Sequence, residues 1–132
     1  MMERLHIAGT KSSPAVDFDP VANRLSLNGQ SYPENAFKFY EPILDWADAY
    51  LRQLAPDATT VVELRMPYIN TSSTKCLMML LDKFEVAHAE GKAVFIRWYC
   101  NPGNETEFEC AEELKEDLTL PFDIVAQEES SP

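Results

Sequence analysis

The run Thr59-Thr60-Val61-Val62-Glu63-Leu64-Arg65-Met66-Pro67-Tyr68-Ile69-Asn70-Thr71-Ser72-Ser73-Thr74-Lys75 decides how the rest of the chain reads. From Thr59 to Met66 it is rich in β-branched and apolar residues, which suits a buried strand. Pro67 has no N–H for a ladder, so pairing is expected to stop or bulge there. After the polar stretch Asn70–Lys75 comes Cys76–Leu81, the longest unbroken apolar run of the chain. Leu77, Leu80, Leu81, Phe84 and His88 then follow a helical stripe, which predicts a helix over about Ser72 to Ala89 with Gly91 as its left-handed stop. Ala93 to Tyr99 reads as the next strand. A strand handing over to a helix and back to a strand is the unit of an α/β layered fold with parallel pairing.

Outward from this centre, Val16 and Phe18 alternate before Asp19-Pro20, and Leu25 and Leu27 alternate before Asn28-Gly29. These read as an N-terminal hairpin, with Leu5 and Ile7 as a further edge strand, and the hairpin makes the sheet mixed. A first helix is expected from Ser31 as cap and Pro33 in the first turn to about Leu54, kinked or restarted at Pro42. It carries two apolar stripes: Phe37, Tyr40, Leu44, Ala47 and Leu51, and beside them Phe39, Ile43, Trp46 and Tyr50. One stripe suffices to dock a helix on a sheet. The second is either a wide core face or a surface for a partner or a second copy. Met78 and Met79 flank the stripe of the middle helix and read as gap-fillers, with Met78 near the junction.

Asn104 with Glu107 three residues later resembles a capping box for a third helix reaching about Leu118. Phe108, Ala111, Leu114 and Leu118 are expected inward. Glu105, Glu109, Glu112 and Glu116 are expected on a solvated outer face rather than in acid–base chemistry or a cation site. Phe122 to Ala126 is a last short strand. The whole reads as one domain over residues 1–126 and a polar tail over 127–132, with about three helices packed on the sheet.

Composition limits the function. The 132 residues carry 22 acids and 11 bases, for a formal charge of -11 and a pI near 4.5. Such a chain repels nucleic acid and anionic membrane surfaces. The six residues of Cys76–Leu81 fall far short of a membrane span, and the first residues hold no apolar segment of signal-peptide length. Cys76, Cys100 and Cys110 are odd in number and include no CxxC, so free thiols in a reducing cytoplasm are expected. His6 and His88 have no partners at zinc spacing; no metal and no cofactor are expected.

The acid is uneven. Residues 105–132 hold ten acids against Lys115 alone, whereas between Glu63 and Asp82 there is no carboxylate and Arg65 and Lys75 are present. A helix cap accounts for one side chain of Asn70-Thr71-Ser72-Ser73-Thr74, not for four consecutive hydroxyls, which are mediocre helix formers. Two readings remain open on the residues alone. One is capping. The other is a site for an anion at a helix N-terminus, the phosphate belonging to a bound small molecule or nucleotide held at residues 70–75, or to a phosphorylated hydroxyl of the protein. A nucleotide loop is disfavoured by the lack of glycine in the segment.

Three stretches in register carry a resemblance. Ser31-Tyr32-Pro33-Glu34-Asn35, Tyr68-Ile69-Asn70-Thr71-Ser72-Ser73, and Arg97-Trp98-Tyr99 followed by Asn104-Glu105 together resemble the SiaC-type regulatory phosphoproteins. In order and spacing the resemblance spans about Leu5 to Val125. It implies a fold similar to the anti-sigma-factor-antagonist (STAS) domains and a non-enzymatic role. In such systems a hydroxyl at a strand-to-helix junction is phosphorylated by a partner kinase and cleared by a phosphatase. The unphosphorylated form binds and activates a diguanylate cyclase. Carried over residue by residue, the phosphoacceptor falls on Thr71, with Ser72 and Ser73 ranking behind it. The partner-binding surface implied is Asn70, Thr71, Ser72, Ser73, Lys75 and Met78.

Overall fold

A computed structural model describes residues 2–126; the polar tail expected at 127–132 lies outside them. Leu5–Ile7 (β1), Ala15–Asp19 (β2) and Arg24–Asn28 (β3) form an antiparallel meander. At the β2–β3 turn the Asp19 carboxylate accepts the N–H groups of Val21 and Ala22, and Asn23 adopts φ 56°, a conformation Asn tolerates better than most side chains.

From β3 onward the sheet is parallel. Thr59–Arg65 (β4), Ala93–Cys100 (β5) and Phe122–Ala126 (β6) add in chain order, giving six strands ordered β1-β2-β3-β4-β5-β6. The crossovers are Ala36–Gln53 (α1), Thr71–Ala89 (α2) and Glu105–Glu116 (α3). Each steps the same way across the sheet, so right-handed connections lay all three helices on one face. Burial agrees: Val16 and Phe18 on β2, Leu25 and Leu27 on β3, Val62 and Leu64 on β4, and Val94, Ile96 and Trp98 on β5 are buried, while their alternate neighbours face away from the core. The expected mixed α/β architecture, with its N-terminal hairpin and three helices, is thus the one observed.

Several local expectations change. The first helix starts at Ala36, and its cap is Asn35, whose side chain accepts the N–H of Lys38. Ser31 and Pro33 lie before it. The helix continues through Pro42 without restarting. Pro42 is exposed, so its ring and the carbonyl left without an N–H donor meet solvent rather than core.

The second aromatic stripe belongs to the fold. Ile43 and Tyr50 are wholly buried, and Trp46 stacks on Tyr50 at 5.0 Å, lies 5.3 Å from Phe18 and donates its indole N–H to the Glu3 carbonyl. The Tyr50 hydroxyl is shared by Thr60 and Asn23. What α1 exposes instead is Phe37, of the first stripe.

On α3 the inward line is Glu107, Ala111 and Leu114. Phe108, expected inward, is exposed. As the capping box requires, Asn104 accepts the N–H of Glu107, and the Glu107 carboxylate accepts the N–H of Asn101. Position 107 thus lies inward and Phe108 outward. Glu105, Glu109, Glu112 and Glu116 lie exposed, as expected. Met78 and Met79 are exposed too, because Cys76, Leu77, Leu80 and Leu81 already fill the inner arc of α2. Gap-filling is not their role.

Candidate phosphoacceptor site

β4 ends at Arg65, and beyond Pro67 pairing resumes for one residue as a parallel bridge between Ser31 and Ile69. The Ser31 N–H donates to the Tyr68 carbonyl at 2.8 Å, and the Asn70 N–H donates to the Ser31 carbonyl at 2.9 Å. The connection before α1 therefore holds the segment that leads into α2.

α2 opens at Thr71, with Asn70 as its cap; the Asn70 side chain accepts the Ser73 N–H at 2.8 Å. This satisfies one of the donors a helix start leaves over. The four hydroxyls that follow have different surroundings. Ser73 is wholly buried, and its hydroxyl accepts from Ser31 at 2.9 Å. Thr74 is half-buried and donates to the Asn70 carbonyl at 2.9 Å, the back-bond common for hydroxyls inside helices. Thr71 and Ser72 are exposed. Accessibility narrows the candidate acceptors to these two, and Ser73 belongs to the core rather than to a contact surface.

Of the remaining residues expected at the site, Asn70 is half-buried and acts as cap, while Lys75 and Met78 are exposed. Thr71, Lys75 and Met78 stand at i, i+4 and i+7, one side of the helix. The first turn of α2 contains no acid, but neither does that of α1. The carboxylate gap therefore does not single out α2; the exposed hydroxyls do. A phosphate added there meets the positive end of the helix dipole without an acid beside it in that turn.

Of three further residues near the junction, two carry no local sequence signal for their roles. Ser31 and Tyr40 are wholly buried, their hydroxyls 2.7 Å apart, and burial pushes the Tyr40 phenol up to about 12 so that it keeps its proton. Tyr68 is exposed and meets Tyr32 edge-on at 5.9 Å between ring centres. Its position just after a strand-ending proline was the one available hint.

A groove of about 670 Å³ runs beyond the ends of β4 and β5 toward α3, lined by Arg65, Pro67, Tyr99, Asn101, Asn104 and Thr106 among others. Arg65 lies over the Tyr99 ring at 4.9 Å, and the Tyr99 hydroxyl donates to Glu63. None of residues 70–75 lines this groove. Among the described residues no group of three His, Cys, Asp or Glu side chains is placed to hold a metal, and no helix is long and apolar enough to cross a membrane. Cys76 and Cys100 are buried and Cys110 half-buried; all three are free, and burial pushes each thiol up.

Comparison with known proteins agrees with this arrangement. A family model described as SiaC family regulatory phosphoprotein matches residues 7–127. A protein of Pseudomonas aeruginosa strain UCBPP-PA14, described as uncharacterised, is 42% identical over 128 residues, covering 97% of this chain and all of its own length. Among solved structures, apo-SiaC of Pseudomonas aeruginosa superposes with a TM-score of 0.89 at 42% identity, over 95% of this chain and 100% of that one. SiaC of the same organism, solved in complex with the diguanylate cyclase SiaD that it activates, gives a TM-score of 0.88 at 42% identity, over 93% of this chain and 99% of that one. With a match over nearly its full length and a shared fold, the chain belongs to the SiaC family of regulatory phosphoproteins.

Proposed function

We propose that this chain is the cytoplasmic, non-enzymatic switch component of a bacterial partner-switching system. In its unphosphorylated form it binds and activates a diguanylate cyclase, raising cyclic di-GMP. A partner kinase phosphorylates Thr71 and so releases the target; a phosphatase resets the switch.

The observation that carries this reading is the exposure of Thr71 at the first position of α2, on one side with Lys75 and Met78, while Ser73 and Thr74 are tied to the protein. A phosphoryl group at that point brings about -1.5 to -2 charges into the contact surface, where desolvation and repulsion weaken a docked complex. The complex of SiaC with SiaD supports a cyclase as the kind of target.

The test is phosphorylation with the cognate kinase and ATP, followed by mapping of the phosphate by mass spectrometry. Modification on Thr71, absent from Thr71→Ala, is the expected result. Full phosphorylation of Thr71→Ala would overturn the assignment. Calorimetry with the cyclase supplies the second half: Thr71→Ala should bind like the natural protein and Thr71→Asp more weakly, and equal affinities would remove the switch.

A further inference from the structure

Three buried hydroxyls stand in line beneath the junction. Tyr40, Ser31 and Ser73 are each without solvent exposure, within a molecule whose buried residues are otherwise almost all apolar. Ser31 donates its only hydroxyl proton to Ser73, so the Tyr40 hydroxyl is the donor in its 2.7 Å bond to Ser31. The high phenol pKa keeps that donor protonated across the physiological range. The order is therefore Tyr40 to Ser31 to Ser73, from the first turns of α1, through the connection behind β3, to the third residue of α2.

The same serine also brackets the segment with its backbone, through Tyr68 on one side and Asn70 on the other. Asn70 in turn caps Ser73 and accepts the hydroxyl of Thr74. Tyr68, Asn70, Ser73 and Thr74 are all fixed by these contacts, and between them stand the two exposed residues, Thr71 and Ser72. The bonds formed by Ser31 alone are thus a clamp on the backbone that presents Thr71. An apolar side chain at 31 or 73, or phenylalanine at 40, would suit a buried core at less desolvation cost; these three positions hold hydroxyls instead.

We infer that Ser31, Tyr40 and Ser73 are positioning residues for phosphoryl transfer to Thr71, holding the helix start in the one orientation that the kinase uses. None of them touches the transferred group. They act by fixing the acceptor, and loss of alignment at a reacting hydroxyl lowers turnover more than it lowers binding through exposed residues further along α2, such as Lys75 and Met78. The inference rests on Thr71 being the acceptor.

Tyr40→Phe removes one hydroxyl and keeps the ring. Initial rates of phosphorylation by the cognate kinase, measured against protein concentration, should show kcat lowered by roughly tenfold with KM within about twofold of the natural protein. Ser31→Ala should do the same, and circular dichroism establishes that each variant is folded before its rates are taken. Unchanged kcat in folded Tyr40→Phe and Ser31→Ala would overturn the inference, and so would a raised KM with kcat intact. Should either variant fail to fold, Ser73→Ala carries the same expectation, and an unchanged kcat in it would overturn the inference equally. Thr71→Ala runs alongside: if it is phosphorylated as fast as the natural protein, the assignment of the acceptor has failed, an outcome distinct from unchanged rates in the three hydroxyl variants.

Discussion

The Glu85 carboxylate of α2 accepts two bonds from Thr119, the N–H at 2.8 Å and the hydroxyl at 2.6 Å, and a third from the Leu120 N–H at 3.0 Å. It fastens the connection between α3 and β6 to the neighbouring helix. The hydroxyl bond from Thr119 is the largest cause holding the Glu85 pKa below its ordinary 4.5, with the two backbone bonds and His88 adding to it. Because the folded-state value is the depressed one, the contribution is complete above about pH 4.5 and is lost as pH falls through the folded value. Glu85→Gln should therefore lower thermal stability at pH 7 and narrow its difference from the natural protein on acidification below pH 4.5. A difference that stays constant from pH 7 to pH 3 would contradict the linkage.

Asn70 ties the α2 start by its side chain, and Asn70→Ala should cost about 1 kcal/mol, while Asn70→Asp keeps most of it. For a chain of this length the alanine variant melts a few degrees lower. Denaturation in urea measures the difference directly; equal midpoints for Asn70→Ala and the natural protein would remove the cap.

Trp46 lies against Phe18 and Tyr50 and has its N–H engaged. Trp46→Glu places a charge against that packing and should destabilise the fold by roughly 3 kcal/mol or more. Light scattering on Trp46→Phe, which keeps an aromatic ring, should give the same mass as the natural protein. A change of mass would return the stripe to the role of an interface.

Met78 stands exposed two turns along α2 from Thr71. Met78→Glu should leave the melting temperature within about a degree, in keeping with a surface change of under ~0.5 kcal/mol, and weaken cyclase binding by about tenfold, or 1.4 kcal/mol. Undiminished affinity would place the target elsewhere on the molecule.

The parallel half of the fold was legible because its signals are local. The β-branched run to Met66, the hydroxyls after Asn70 and the apolar spacing from Leu77 to Phe84 each declare an element within a few residues. Ser31 was not legible. Followed by Tyr32 and Pro33 it has the form of a helix cap, yet its partners are Tyr40, Tyr68, Asn70 and Ser73, and no spacing along the chain announces a bond to a residue 42 positions away. Asn35 wins as cap because its side chain meets the N–H of Lys38. Phe108, expected inward, is exposed because Glu107 takes the buried position beside it, with its carboxylate bonded to the Asn101 N–H, a contact that hydropathy does not announce. At the candidate site, the hydroxyl run was plain in the sequence. Which members of it face water depended on neighbours supplied by another part of the chain.

The bridge between Ser31 and Ile69 joins positions separated by all of α1 and β4. It closes only when β3 and β4 lie side by side, so the local shape around Thr71 depends on long-range pairing and not on residues 68–75 alone. A newly made or partly unfolded copy contains the same residues 68–75 without that shape. An enzyme or target that recognises the shape, and not the residues alone, ignores such copies, and the signal then counts only finished molecules.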